Sequence, residues 1–161
     1  MARHSLVTVG DEFFDEAPVR ATLGFDTPAA PARVWEVLAA DDAVGSWSKL
    51  VTGAHWEPGP RGVGAIREVT LGGFLTVREE FYRWDEGERM TFSAVETTGP
   101  GIRSFAEDYV ITPKGNGSRL EWTVATAPKA GVGPRVGGVA GRVLWASVWP
   151  LAHGLEKKLK G

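Results

Sequence analysis

Three ionisable residues, Arg67, Glu79 and Glu107, stand in alternating sets that are otherwise mostly apolar. From Val63 to Leu71 the odd positions read Val63, Ala65, Arg67, Val69 and Leu71; from Leu75 to Arg83 they read Leu75, Val77, Glu79, Phe81 and Arg83. Residues two apart share one face of a strand, so each strand sets a charge into an apolar surface. A three-residue turn at Gly72-Gly73-Phe74 then pairs Leu71 with Leu75, Val69 with Val77 and Arg67 with Glu79, with Cβ atoms about 5 Å apart. The sequence predicts an arginine–glutamate pair on an inner face. Such a pair has two readings. It completes the core as an ion pair, or it anchors a ligand carbonyl or hydroxyl. Desolvation offsets most of the attraction in a buried pair, which is the reason to look for a use beyond stability.

Glu107 belongs to a second alternating set, Phe105, Glu107, Tyr109 and Ile111, which is placed inward together with Leu120, Trp122 and Val124. Burial raises a carboxyl pKa, whereas an arginine partner lowers it. If Arg67 holds Glu79, then Glu107 is the better general base, with Tyr109 as a neighbouring donor and Glu79 as the second candidate. The same carboxylates are also explained as hydrogen-bonded groups in a cavity wall.

These side chains need a sheet to hold them. Turn-forming clusters at Glu57-Pro58-Gly59-Pro60, Gly72-Gly73-Phe74, Asp85 to Glu88, Thr98 to Gly101 and Pro113 to Gly117 divide residues 50–124 into short strands with no long helix between them. That spacing predicts an antiparallel meander. A four-residue loop at Asp85 to Glu88 pairs Phe81 with Phe92 and Glu79 with Ala94, keeping Met90 inward. Upstream, Val19 to Phe25 reads as a strand. Thr27 is a plausible N-cap, with Pro28 or Pro31 opening a helix from Pro31 to Ala40. Asp42 to Ser48 reads as another short helix. The last element is a helix from Val136 to Lys160 with a stripe of Leu144, Val148, Leu151, Leu155 and Leu159. Pro150 should kink it, and the glycines from Gly131 to Gly141 should leave its beginning mobile.

The long helix is the only element able to cover a concave apolar sheet face. The resulting α+β architecture is a curved antiparallel sheet wrapped around a long C-terminal helix, with an internal cavity. The 161 residues suffice for one domain. Seven tryptophans supply core or a wall for a flat apolar ligand; Trp145 and Trp149 stand one turn apart beside the leucine stripe. Burying about 300 Å² of ligand would contribute roughly 7 kcal/mol, against at least ~4 kcal/mol of association cost. One or two polar contacts therefore decide which ligand is kept.

Other chemistries are excluded. There is no cysteine, and His4, His55 and His153 lack ligand spacing, so no metal is implied. No dinucleotide fingerprint, phosphate loop or Gly-x-Ser-x-Gly elbow occurs, and no cofactor is implied. A net charge of −2 argues against nucleic acid. The charge is uneven, however: residues 131–161 hold five basic residues against one acid, a local +4 that leaves −6 for the rest. That pattern suits a basic helix lying on an acidic body, or an interfacial helix in contact with a membrane surface. With no secretory signal and no transmembrane span, a cytoplasmic protein is expected.

Several segments carry a family resemblance. Val63-Gly64-Ala65-Ile66-Arg67-Glu68 resembles the "vGavR" strand of the polyketide cyclase/dehydrase branch of the START-like, helix-grip superfamily. Val34-Trp35-Glu36-Val37-Leu38 is similar to that family's first helix, and Trp47 to the tryptophan following its short second helix. Glu79 with Asp85 matches its "E…D" strand, Phe92 an aromatic position, and Ser118 to Trp122 its "t-x-v-x-W" strand. The match runs from about Val19 to Lys160. Met1 to Glu16 has no counterpart, and the glycine run is unusually long; either could serve as a lid. The resemblance implies a pocket for a small hydrophobic molecule such as a polyketide, sterol or lipid. It also implies, as an alternative, cyclisation or dehydration of a polyketide by an inward glutamate. In the pocket so implied, Arg67 anchors a ligand oxygen and Glu79 orients Arg67. Trp47, Phe81, Phe92, Tyr109, Trp122 and Trp145 form the wall.

Overall fold

The computed structural model of the chain describes residues 2–130 and 137–161, with side chains left undescribed at 137–141. Its elements in chain order are β1 (His4–Ser5), α1 (Phe13–Glu16), β2 (Val19–Thr27), α2 (Pro31–Ala39), β3 (Val51–Trp56), β4 (Ile66–Leu71), β5 (Leu75–Asp85), β6 (Arg89–Thr97), β7 (Ile102–Lys114), β8 (Gly117–Pro128) and α3 (Gly137–Lys160). Seven strands form one antiparallel sheet in the order β2-β8-β7-β6-β5-β4-β3, and β1 pairs with β6. This is the α+β helix-grip arrangement. The first and last strands of the main sheet in chain order, β2 and β8, lie side by side, with Val19 opposite Thr126 and Thr27 opposite Ser118. Helix α3 packs against β2 and buries Val148, Ala152, Leu155 and Leu159. With Leu23, Val34, Leu38, Phe81, Phe92 and Leu120 they form a single large core.

The predicted hairpin registers are present: Arg67 faces Glu79, Val69 faces Val77, and Leu71 faces Leu75. Phe81 faces Phe92 and Glu79 faces Ala94. The second hairpin reaches that register by a different route. Asp85 pairs with Arg89, so the loop is one residue shorter than expected, and a bulge between Phe81 and Arg83 takes up Tyr82. A bulge re-aims the side chains beyond it. Arg83, expected inward, instead reaches Asp11, and Trp84 joins the interior, edge-on to Trp35, Trp56 and Phe81.

Three further expectations are corrected. Val63 is not part of a strand: β4 begins at Ile66, and Val63 is exposed between Gly62 and Gly64, whose positive φ angles turn the chain. Thr27 is not the N-cap of α2, because Ala30 holds that position and Pro31 opens the helix. The Thr27 hydroxyl instead donates to the Leu159 carbonyl at 3.3 Å, tying β2 to the end of α3. Asp42 to Ser48 forms turns rather than a helix; Val44 sits at φ 67°, which breaks the helical backbone. The expectation of a mobile glycine-rich segment falls on residues 131–136, outside the described residues; from Gly137 onward the chain is helical.

The N-terminal segment is an added strand. Leu6 N–H donates to the Val95 carbonyl at 2.9 Å, and Val7 N–H donates to the Arg103 carbonyl at 2.8 Å. The β6–β7 pairing runs only from Arg89/Val110 to Ser93/Ala106, so beyond it the segment wedges between two diverging strands. Leu6 fills the gap against Val77 and Ala94, with Ile102 and Phe105 beside it. No helix among the described residues is long and apolar enough to cross a membrane.

Candidate functional site

Between the sheet and α3 lies a cavity of about 40 Å³. Val44, Val69, Leu71, Val77, Phe105 and Leu151 form its apolar wall, while Arg67, Glu79, Glu107, Tyr109 and Trp122 bring the polar groups. Alternation explains the gathering: β4, β5, β7 and β8 each direct every second residue inward, and antiparallel register stacks those residues side by side. Tyr109 faces Trp122 across β7 and β8, and their rings stack with centroids 5.0 Å apart.

Arg67 Nε donates to Glu79 Oε2 at 2.7 Å, with both side chains almost wholly buried. The guanidinium carbon lies 5.2 Å from the ring centroids of both Trp56 and Phe81 and 5.9 Å from that of Phe92, within the range of cation–π attraction. Burial is the largest influence on Arg67 and works against its charge, but Glu79, Tyr109 and Glu107 together hold the pKa above its ordinary value. Burial pushes Glu79 upward, against the pull of the same arginine.

Glu107 Oε2 accepts the Tyr109 hydroxyl at 2.6 Å and the Trp122 indole N–H at 3.0 Å. Burial, helped by the nearby Glu79 charge, pushes its pKa up to about 8 against those hydrogen bonds and Arg67. At neutral pH Glu107 is therefore mostly a neutral acid. Oε2 already takes two donors, so the proton belongs on Oε1. That atom makes no hydrogen bond with the described residues, and neither does Arg67 Nη1. The cluster is thus a charged pair beside a neutral carboxylic acid that can donate.

The structure sorts the expected wall into three groups. Arg67, Glu79, Glu107, Tyr109 and Trp122 line the cavity itself. Phe81 and Phe92 are fully buried behind it, against the Arg67 guanidinium. Trp47 is also buried, but beneath α3, where its backbone carbonyl meets Gly154. Trp145 is no part of the wall: it is 45% exposed and flanks an outer groove with β2 residues Leu23 and Phe25. Helical spacing explains the miss, since Trp145 falls on the flank of the leucine stripe and not within it. The alternation had no means of revealing Trp56 beside Arg67, or Val44 in the wall.

Val44 belongs to a costly segment. A β-branched residue at positive φ is a steric outlier, and two or three residues further on Ser46 Oγ and Trp47 Nε1 are buried without a hydrogen-bond partner. The strain and the unpaired polar atoms sit together in the 41–50 loop, next to Leu151 of α3.

Known proteins agree with this architecture. The sequence model of the family described as polyketide cyclase / dehydrase and lipid transport matches residues 18–159. An uncharacterised protein of Mycobacterium tuberculosis is 35% identical over 118 residues, covering 73% of this chain and 71% of the relative; one from Mycobacterium bovis matches equally. A START superfamily protein from Mycobacterium smegmatis superposes with a TM-score of 0.68 at 16% identity, covering 87% of this chain and 96% of the other. The protein TTHA0849 of Thermus thermophilus does so with a TM-score of 0.70 at 19% identity, with the same coverages. At these identities the two structures share the fold alone.

Proposed function

The chain belongs to the polyketide cyclase / dehydrase and lipid transport family, on the START-like fold, and from that premise we propose that its cavity binds a small, mostly apolar molecule carrying at least one oxygen. A polyketide, a sterol or another lipid fits that description. The observation that carries the reading is the pair of unused donors, Glu107 Oε1–H and Arg67 Nη1, in a wall that is otherwise apolar. A plain hydrocarbon in the cavity would cover these donors without giving them a partner, which is costly, so a ligand carbonyl or hydroxyl that satisfies them is selected. Arg67 and Glu107 anchor the oxygen, and Glu79 holds Arg67 in place.

A volume of about 40 Å³ is well below the roughly 300–1,000 Å³ of ligand pockets. Ligand therefore enters by displacing part of the wall. The 41–50 loop is the segment that yields, since leaving its present conformation relieves the Val44 backbone and frees Ser46 and Trp47 to find partners.

Small molecules extracted from protein purified from its own host and identified by mass spectrometry test this reading. One stoichiometric apolar compound is expected, retained in Glu107→Gln, which still donates, and lost in Glu107→Leu. Its absence, together with no change in stability when oxygenated lipids or polyketide mimics are added, overturns the proposal.

The Glu107 pKa of about 8 favours a second reading, proton transfer during cyclisation or dehydration, because acid–base groups work best near the ambient pH. In this reading Glu107 starts as the acid at neutral pH, and not as the base that its burial in a sequence pattern first suggests. Loss of turnover in Glu107→Gln with binding intact would distinguish an enzyme from a carrier.

A further inference from the structure

We propose that the outer side of α3 docks on an anionic membrane surface. Three large apolar side chains are exposed on this one helix: Val143 at 61%, Trp145 at 45% and Trp149 at 46%. Both tryptophans and His153 follow four-residue steps, and Trp149 stacks flat on His153, centroids 5.0 Å apart. Arg142 precedes this row by one turn and Lys157 and Lys160 continue it, so the row is bracketed by cations. Lys158 is exposed on the neighbouring side. One acid, Glu156, lies in the row and is paired with Lys160 at 2.6 Å.

The leucine stripe is spent on the core, so these tryptophans are not needed to hold the helix down. Tryptophan pairs an apolar body with one polar N–H and belongs at a boundary between water and hydrocarbon. Lysine heads beside it reach the phosphate layer while their stems lie on apolar surface. The occupant is read from charge and apolar character together. The helix carries Arg142, Lys157, Lys158 and Lys160 against the single acid Glu156, and exposed tryptophans between cations match an anionic lipid surface with hydrocarbon beneath its phosphates. Pairing with the acidic body of a second copy is the competing outcome that the test below separates. The inference rests on the exposed face alone and does not depend on what the cavity holds. The same helix presents Leu151 to the cavity from its opposite side, so docking would set the cavity's cover at the lipid boundary.

The whole protein is floated with phosphatidylcholine vesicles with and without phosphatidylserine, at low and high salt. Binding to the anionic vesicles only, released by salt, is expected. Lys157→Gln/Lys158→Gln/Lys160→Gln should weaken it by roughly a hundredfold, from about one kcal/mol per basic residue. Trp145→Ala/Trp149→Ala should reduce it by at least about tenfold with unchanged far-UV circular dichroism. As a check that needs no variant, brominated phosphatidylserine should quench part of the tryptophan emission of the unmodified protein. Equal binding to neutral vesicles, no quenching, or full binding by the lysine variant overturns the proposal. So does a concentration-dependent dimer that is lost in the tryptophan variant while vesicles are ignored.

Discussion

Arg67 and Glu79 face each other across β4 and β5 with a 2.7 Å Nε–Oε2 hydrogen bond, and neither side chain is more than 7% exposed. Their pairing joins two adjacent strands under three aromatic rings, so removing one partner strands a charge in the core. Arg67→Met is expected to lose roughly 3–5 kcal/mol of stability by urea denaturation, while Arg67→Met/Glu79→Leu recovers most of that loss. If the double variant is no more stable than the single one, the pair is not the unit described.

The Glu107 carboxyl makes stability pH-dependent in an unusual direction. Its folded pKa of about 8 lies above the ordinary 4.5, so the folded state holds a proton that the unfolded chain has released. The stabilisation it contributes is complete below about pH 4.5 and is lost as pH rises through 8. Thermal melts should fall across that window by the equivalent of up to about 5 kcal/mol. In Glu107→Gln, which mimics the protonated acid, this component of the slope should disappear. An unchanged slope would mean that Glu107 is ionised in the fold.

Gly154 tests how closely α3 sits on the 41–50 loop. A Cβ there would overlap the Trp47 carbonyl oxygen. In an open helix Gly→Ala stabilises by up to about 1 kcal/mol; here Gly154→Ala should destabilise by about 1–3 kcal/mol or more, measured by chemical denaturation. The sign of the change decides the matter.

Leu6 carries the N-terminal wedge. Leu6→Ala should cost about 2 kcal/mol, the low end for a buried leucine, and should speed hydrogen exchange at the Leu6 and Val7 amides. Val7→Ala, at a half-exposed neighbour, should change little. Equal effects at the two positions would show that the segment is not seated between β6 and β7.

Most of the polar cluster was legible in the sequence because it depends on two simple rules, the period of two along a strand and the length of the turn between strands. Those rules place Arg67 against Glu79 and turn Glu107, Tyr109 and Trp122 inward. They fail where the chain departs from them. The extra residue at Tyr82 reverses the faces beyond it, sending Arg83 out and Trp84 in. Val44 stands in a backbone conformation that β-branched residues avoid, which no propensity would assign to it. Trp145 lies on the edge of a helical stripe, where spacing alone does not separate buried from exposed. The wedge at Leu6 is invisible because the gap it fills exists only after β6 and β7 have diverged.

The β2–β8 seam also sets a schedule. Val19 finds its partner in Thr126, and His4 finds its own in Thr97, so neither early strand can pair until most of the chain has been translated. At about 5–20 residues per second, β2 waits on the order of 5–20 s for β8 to leave the ribosome. During that interval its apolar positions Val19, Ala21 and Leu23 are free to pair with other nascent chains. Arg20 between them is the charge that discourages such pairing. Slowing or stalling translation ahead of residue 128 should therefore hurt yield more than an equal delay near the C-terminus.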